Sequence, residues 1–236
     1  MKILFFFLIT ITSLCNTNSQ TLKEQYKEKA SQHFYKEEFK ESLECYTKII
    51  QLYPNDSAAY NFRGQLYELL HDYKNAIADY TKQIAIDPTF ADSYFFRAMA
   101  KEKIKDHKGA ILDYTKTIKL EPTNSDAYYF RGLNKVALRN FKGVMSDYAN
   151  AIRIRADHAE VYADRAWLEI QFKEYKKARL DYDKAIELSD TNPEFYLKRG
   201  KLKLKIGQSK SACDDFKKCC ELDLNFKSKL PKVNCN

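Results

Sequence analysis

The chain repeats itself every thirty-four residues, and nothing else in it limits the fold so tightly. It reads YNFRG from Tyr60, YFFRA from Tyr94 and YYFRG from Tyr128. The same beat places Tyr26, Tyr162 and Tyr196 in one column. A second column holds only tiny residues: Ala30, Gly64, Ala98, Gly132, Ala166 and Gly200. A third is aromatic throughout, from Tyr46, Tyr80 and Tyr114 to Tyr148, Tyr182 and Phe216. Six units fit without insertion or gap, and a fixed period of this length is the signature of a repeat architecture.

Each unit divides into two helices. SAAYNFRGQLYELL (from Ser57) and KNAIADYTKQIAI (from Lys74) carry apolar or small residues at helical spacing, with the short polar turn HDY between them. Pro54, Pro88 and Pro122 mark the joints between units. A proline there stops the second helix and suits the start of the next. The tiny columns have a simple cause: where two helices cross closely, no room is left for a side chain.

These residues resemble the tetratricopeptide repeat family. The resemblance rests on the period, the tiny residue early in the first helix and the alanine-to-aromatic step in the second (Ala76 to Tyr80, Ala110 to Tyr114, Ala178 to Tyr182). It implies an all-α, right-handed α-solenoid of six helix-turn-helix repeats, at 20–53, 54–87, 88–121, 122–155, 156–189 and 190–223. Residues 224–236 are then a capping tail. Departures are the tyrosine in place of a frequent tryptophan and the arginine before the tiny residue. The family is a scaffold for binding, so the resemblance implies a non-enzymatic protein that holds a peptide or protein in the concave groove of its first helices. Transferred position by position, the groove falls on Asn61, Gln65, Phe95, Met99, Tyr129, Leu133 and Trp167. For Phe62, Phe96 and Phe130 the choice is between the groove and packing between neighbouring helices. The family's mode for acidic chaperone tails is not met: Lys27 fits, but Ser31, Phe62, Asp92 and Phe96 do not. Two other readings stand beside the scaffold, a self-assembling envelope component docking through repeat one and an anionic-polymer binder using the basic C-terminal repeat.

Charge is also periodic. Arg63, Arg97, Arg131, Arg165 and Arg199 are each followed sixteen residues later by Asp79, Asp113, Asp147, Asp181 and Asp215. Repeat one changes both members together, to Lys29 and Cys45. That points to ion pairs joining the two helices of a repeat, where a bidentate arginine–carboxylate contact suits partial burial. Lys40, Lys74, Lys108, Lys142, Lys176 and Lys210 form an unbroken column at the start of the second helix. They are a solvated face; with carboxylates in the same turns (Asp72, Asp106, Glu174), nucleic acid is not an expected partner.

The first residues differ from the rest. Lys2, an apolar run from Ile3 to Leu14 and a small-residue exit have the form of a secretory signal over residues 1–19, cleaved after Ser19. The run is shorter than the ~20 residues needed to span a bilayer. The alternative is a lipoprotein acylated at Cys15, the one route by which a membrane becomes a partner; the bulky Leu14 before it counts against this. Either way the mature chain is exported, to the periplasm or beyond. Five cysteines then remain, an odd number. Cys213 and Cys220 lie too far apart on one helix to join each other. Cys213 is paired with Cys235, with Cys220 as the other candidate partner, while Cys45 is a buried free thiol. No catalytic residue, metal site or cofactor is expected. His33, His71, His107 and His158 fall at different places in their repeats with no ligand spacing, and there is no phosphate loop.

Overall fold

The computed structural model describes residues 21–232, and their regular structure is helical. The signal reading of residues 1–19, Cys15 within it, and Cys235 lie outside the described residues. Helix α1 covers 21–35. It is followed by α2 (Phe39–Leu52), α3 (Ser57–Leu69), α4 (Tyr73–Ile86), α5 (Ala91–Lys103) and α6 (His107–Leu120). Then come α7 (Ser125–Ala137), α8 (Phe141–Ile154), α9 (Ala159–Gln171), α10 (Tyr175–Leu188), α11 (Pro193–Lys205) and α12 (Ser209–Leu222), closed by a 3-10 turn at Leu224–Lys229. The chain divides into two units, one ending at Leu120 and one beginning at Glu121. Each unit stacks three helical hairpins, α1–α6 in the first and α7–α12 in the second. Among the described residues no helix is long and apolar enough to cross a membrane.

Every hairpin turns in the same way. Where α3 ends, the His71 N–H donates to the Glu68 carbonyl at 2.9 Å and the Asp72 N–H to the Tyr67 carbonyl at 2.8 Å. This pair of bonds closes a helix through a residue in the left-handed region. That residue recurs on the thirty-four-residue beat as Glu37, His71, Lys105, Arg139, Lys173 and Gly207, all at positive φ. Only the last is glycine, so five side chains carry the left-handed strain. The Asp72 and Asn140 side chains then cap the next helix, accepting from the Asn75 and Gly143 N–H groups. Pro54, Pro88 and Pro122 sit in the turns just after α2, α4 and α6 rather than opening the next helix; Pro193 alone takes that opening position, at the start of α11. They stop helices by lacking an N–H, and the sequence reading of their second role is corrected accordingly.

The core follows from the tiny and aromatic columns together. A Cβ built on Gly64 would stand 2.8 Å from Tyr80 Cε1, one on Gly132 2.5 Å from Tyr148 Cε1, and one on Gly200 2.5 Å from Phe216 Cε1. The aromatic ring of the second helix therefore lies flat against the backbone of the first. Tyr80, Tyr114, Tyr148 and Tyr182 are fully buried there.

The charged columns meet beside this contact. Arg63 donates through Nε and Nη2 to both carboxylate oxygens of Asp79, each at 2.7 Å. The same fork joins Arg97 to Asp113, Arg131 to Asp147, Arg165 to Asp181 and Arg199 to Asp215. Each guanidinium also stands over the tyrosine three residues before it, at 5.5 Å for Arg131 over Tyr128. Pairing is not confined to one repeat, because the remaining nitrogen reaches back to the preceding one. Arg63 donates to Thr47 at 3.2 Å, Arg97 to Thr81 at 3.1 Å and Arg199 to Asp183 at 2.8 Å. Lys101, Lys135 and Lys203 add a second cation to Asp113, Asp147 and Asp215. In repeat one Cys45 is a half-buried thiol rather than a buried one; burial pushes its pKa up and the Lys29 ammonium opposes that. At the other end Cys213 is disulfide-bonded. Cys220 is a free thiol, which removes it as the alternative partner.

Two outcomes follow. Arg165→Ala is expected to cost about 3–5 kcal/mol by stranding Asp181. Arg131→Ala costs less, because Lys135 stays on Asp147; equal losses in urea unfolding would remove this account of the lysines. Lys105→Gly relieves a left-handed side chain and is expected to add about 0.5–1 kcal/mol, with a matching loss for Gly207→Ala. A melting temperature unchanged by either substitution would show that the turn carries no such strain.

Candidate functional site

The first helices of the three hairpins in the first unit line most of an open cavity of about 790 Å³. Its walls come largely from three positions, three or four residues apart, on one face of these helices, and α1 contributes at two of them. Phe62 and Phe96 occupy the first position, Ser31, Gln65 and Met99 the second, and Tyr35, Leu69 and Lys103 the third. The phenylalanines are fixed from behind. Phe62 stacks on Tyr46 with ring centroids 5.4 Å apart, and Phe96 on Tyr80 at 6.0 Å. Each therefore packs on the second helix of the preceding repeat and still faces the cavity, and Phe62 remains 46% exposed. Phe34 and Tyr35 close one end, where Tyr35 projects into solvent.

Polar groups are few and mostly engaged. The Tyr80 hydroxyl donates to Glu68 Oε2 at 2.9 Å, and burial raises the Glu68 pKa despite that bond. Gln65 donates to Asn61 at 2.6 Å, and Asn61 in turn to the buried Gln83 at 3.1 Å. Lys103 is exposed on the rim. The size falls within the roughly 300–1,000 Å³ of small ligand sites, and the lining is apolar with a few placed polar groups.

The seven residues drawn from the resemblance do not share this place. Gln65 and Met99 line the cavity. Asn61 and Phe95 stand behind it, Asn61 through its bond to Gln65 and Phe95 edge-on to Phe96 at 6.0 Å. Tyr129, Leu133 and Trp167 belong to the second unit. There the Tyr129 hydroxyl donates to Asp164 at 2.9 Å, and burial raises the pKa of both groups. Leu133 packs on the core around Val144 and Tyr148. Trp167 is partly exposed and meets Phe141 edge-on at 6.4 Å. Ala163 and Leu197, at the position matching Phe95, are buried. Of the positions matching Phe62 and Phe96, Phe130 keeps the ring, 5.4 Å from that of Tyr129, whereas the next two carry Asp164 and Lys198, 3.9 Å apart. Sequence reasoning missed Tyr35, Leu69 and Lys103. Their signal was available, since each lies one helical turn beyond Ser31, Gln65 and Met99.

The family model described as tetratricopeptide repeat matches residues 57–90, 91–124, 159–192 and 193–226. The matched segments open at the first residues of α3, α5, α9 and α11. No curated protein matches the chain. Among solved structures, a crystal structure of MamA is 23% identical with a TM-score of 0.66, covering 70% of this chain and 96% of its own. YrrB, described as a TPR protein with an unusual peptide-binding site, is 16% identical with a TM-score of 0.66, over 77% of this chain and 94% of its own. The Pseudomonas aeruginosa PilF structure is 15% identical with a TM-score of 0.73, over 90% and 99%. At such identities the likeness is one of fold.

One position breaks the charge pattern of the second unit. Where repeats three, four and six place Lys101, Lys135 and Lys203 on an aspartate, repeat five has Glu169. Its side chain is 5% exposed, and among the described residues its Oε2 has no hydrogen-bond partner. Burial, then the Asp181 carboxylate beside it, push its pKa up to about 7, against Arg165 and Lys177; Glu174 adds to the rise. A carboxyl that binds its proton more tightly when folded stabilises at low pH and loses that contribution as pH rises from its unfolded value of about 4.3. The loss is complete above about 7. Glu169→Gln is therefore expected to gain stability over the wild type at pH 8 and little at pH 4. Denaturant midpoints at the two pH values check this; a gain that does not grow with pH contradicts it.

Proposed function

The chain belongs to the tetratricopeptide repeat family, and from that premise we propose that it is a non-catalytic scaffold that holds a peptide or protein segment in the cavity of its first unit. The observation that carries this reading is the apolar wall formed by Phe62, Phe96 and Met99, with Tyr35 and Leu69 beside it. A monomeric protein rarely leaves such a patch uncovered without a partner. The partner it suits is a segment with large apolar side chains spaced along one face, each seated between neighbouring helices. Glu68 and Lys103 give the rim one group of each sign, and neither forms a nucleophile with a base beside it. YrrB supports the reading as a peptide-binding protein of the same fold. Export through residues 1–19 with cleavage after Ser19 belongs to the same proposal, as does a Cys213–Cys235 bridge holding the C-terminal tail. A disulfide at Cys213 suits an oxidising compartment.

Selection of displayed random peptides on the full chain tests the cavity. The selected peptides are expected to carry two or more large apolar residues. They are expected to bind at least about ten-fold more weakly to the Phe62→Asp, Met99→Glu variant, and unchanged to Trp167→Ala. Peptides that bind the double variant as well as the wild type would place the site elsewhere.

A further inference from the structure

The second unit is electrically polarised along its helices. Its three hairpins run in the same sense, so the turns at 137–143, 171–177 and 205–211 share one edge. Lys205 Nζ stands over the Tyr175 ring at 5.4 Å, which joins two of these turns directly. Arg139, Lys142, Lys173, Lys176, Lys205 and Lys210 are all exposed on this edge. Glu174 is the only carboxylate in those three segments, and it is paired with Lys177 at 3.5 Å. The opposite edge is acidic, with Glu121, Asp126, Asp157, Glu160, Asp190 and Glu194. Its cations include Arg155, which is bound to Asp126, and Lys227, Lys229 and Lys232 of the tail that follows α12, fewer than its carboxylates. The corresponding turns of the first unit mix their lysines with Glu37, Glu38, Glu41, Asp72 and Asp106, so the polarity is not a property of the repeat.

The basic edge is also apolar at its tips. Leu138, just before Arg139, is 41% exposed, and Phe172, just before Lys173, is 49% exposed. Each is the C-cap residue of its helix and the last before the left-handed residue of the turn. A soluble polyanion answers the cations and offers nothing to these side chains. A leaflet of anionic lipid answers both, because its charge attracts the basic residues and its headgroup–acyl boundary accepts apolar tips.

We propose that the turn edge around Arg139, Lys173, Lys176 and Lys210 docks the second unit, end-on, to an anionic membrane surface, with Leu138 and Phe172 entering the headgroup layer. The acidic edge then faces away from the membrane. The chemistry recognised is a layer of lipid phosphates over an apolar interior, not a base sequence or a protein pocket.

Flotation of the full chain with vesicles tests this, using phosphatidylcholine alone or mixed with about one third phosphatidylglycerol. Residues 3–14 are common to every sample, so the ratio of anionic to neutral binding reports the edge. The wild type is expected to prefer anionic vesicles, and added salt weakens that preference. Lys173→Glu with Lys176→Glu is expected to lower binding at least about ten-fold, whereas the same reversal at Lys40 and Lys74 in the first unit leaves most of it. Phe172→Ser with Leu138→Ser weakens vesicle binding and leaves retention on heparin unchanged. The proposal is overturned by equal binding to both vesicle types, or by an equal loss from the first-unit reversal. It is also overturned if the serine variant binds vesicles like the wild type, which would assign the edge to a soluble polyanion.

Discussion

Helix backbones in this chain approach until an aromatic ring touches a residue without room for a side chain, and most of the architecture depends on that contact. At Gly132 and Gly200 a methyl group would already be 2.5 Å from the facing ring. The approach sets the crossing of the two helices in a hairpin. It also brings the column four residues before the tiny residue and the column one residue before it to fixed places: the tyrosine lies beside the seam, and the arginine points along it. The aspartate preceding the buried ring is then the acceptor within reach of both forked nitrogens. Helical geometry converts one close contact into three obligatory columns, which is why Tyr, Arg and Gly or Ala recur together.

The arginine clamp is best understood as a constraint of register rather than a source of stability. Removing two charges from water is costly, and their attraction in the interior roughly offsets it. What the fork adds is direction. Two nitrogens are committed to the aspartate of the same repeat, and a third to Thr47, Thr81 or Asp183 of the repeat before. A hairpin shifted along its neighbour would leave that third donor unpaired beside a buried carboxylate. Repeat five has no such hydroxyl, since Ala149 stands where Thr47 stands in repeat one. It also places Glu169 where a lysine is used elsewhere. Its clamp is the least supported of the five.

The sequence made the helices, the hairpins and the pairing of columns legible because each is a chemical type repeated at one spacing. It could not show the left-handed turn position. Glu37, His71, Lys105, Arg139, Lys173 and Gly207 share a backbone conformation and no chemistry, so a column of residue types hides a column of dihedral angles. The candidate site was half legible. Gln65 and Met99 were reached by transfer of family positions, while Tyr35, Leu69 and Lys103, one turn further on, were not. Asn61 and Phe95 were read as surface, yet their side chains are spent on Gln65 and Phe96. Whether a half-buried aromatic presents its face to solvent or to a neighbour depends on the ring beneath it, which is Tyr114 of the same repeat for Phe95 and a tyrosine of the preceding repeat for Phe62 and Phe96.

A strict repeat also determines where a chain of this kind can acquire differences. Within the columns, a substitution meets a ring, a carboxylate or a backbone at contact distance and is felt through packing. Between them, at the inner faces of the first helices and at the turns, the backbone is held from elsewhere and side chains are free to diverge. The two units have diverged there in opposite ways. The first keeps phenylalanine at the positions following Tyr60 and Tyr94 by two, and it lines an open apolar cavity. The second keeps Phe130 there but carries Asp164 and Lys198 in its next two repeats, and it gathers cations at one set of turns. One backbone plan thus carries an apolar face in one unit and a charged edge in the other, and neither requires any change in the residues that build the helices.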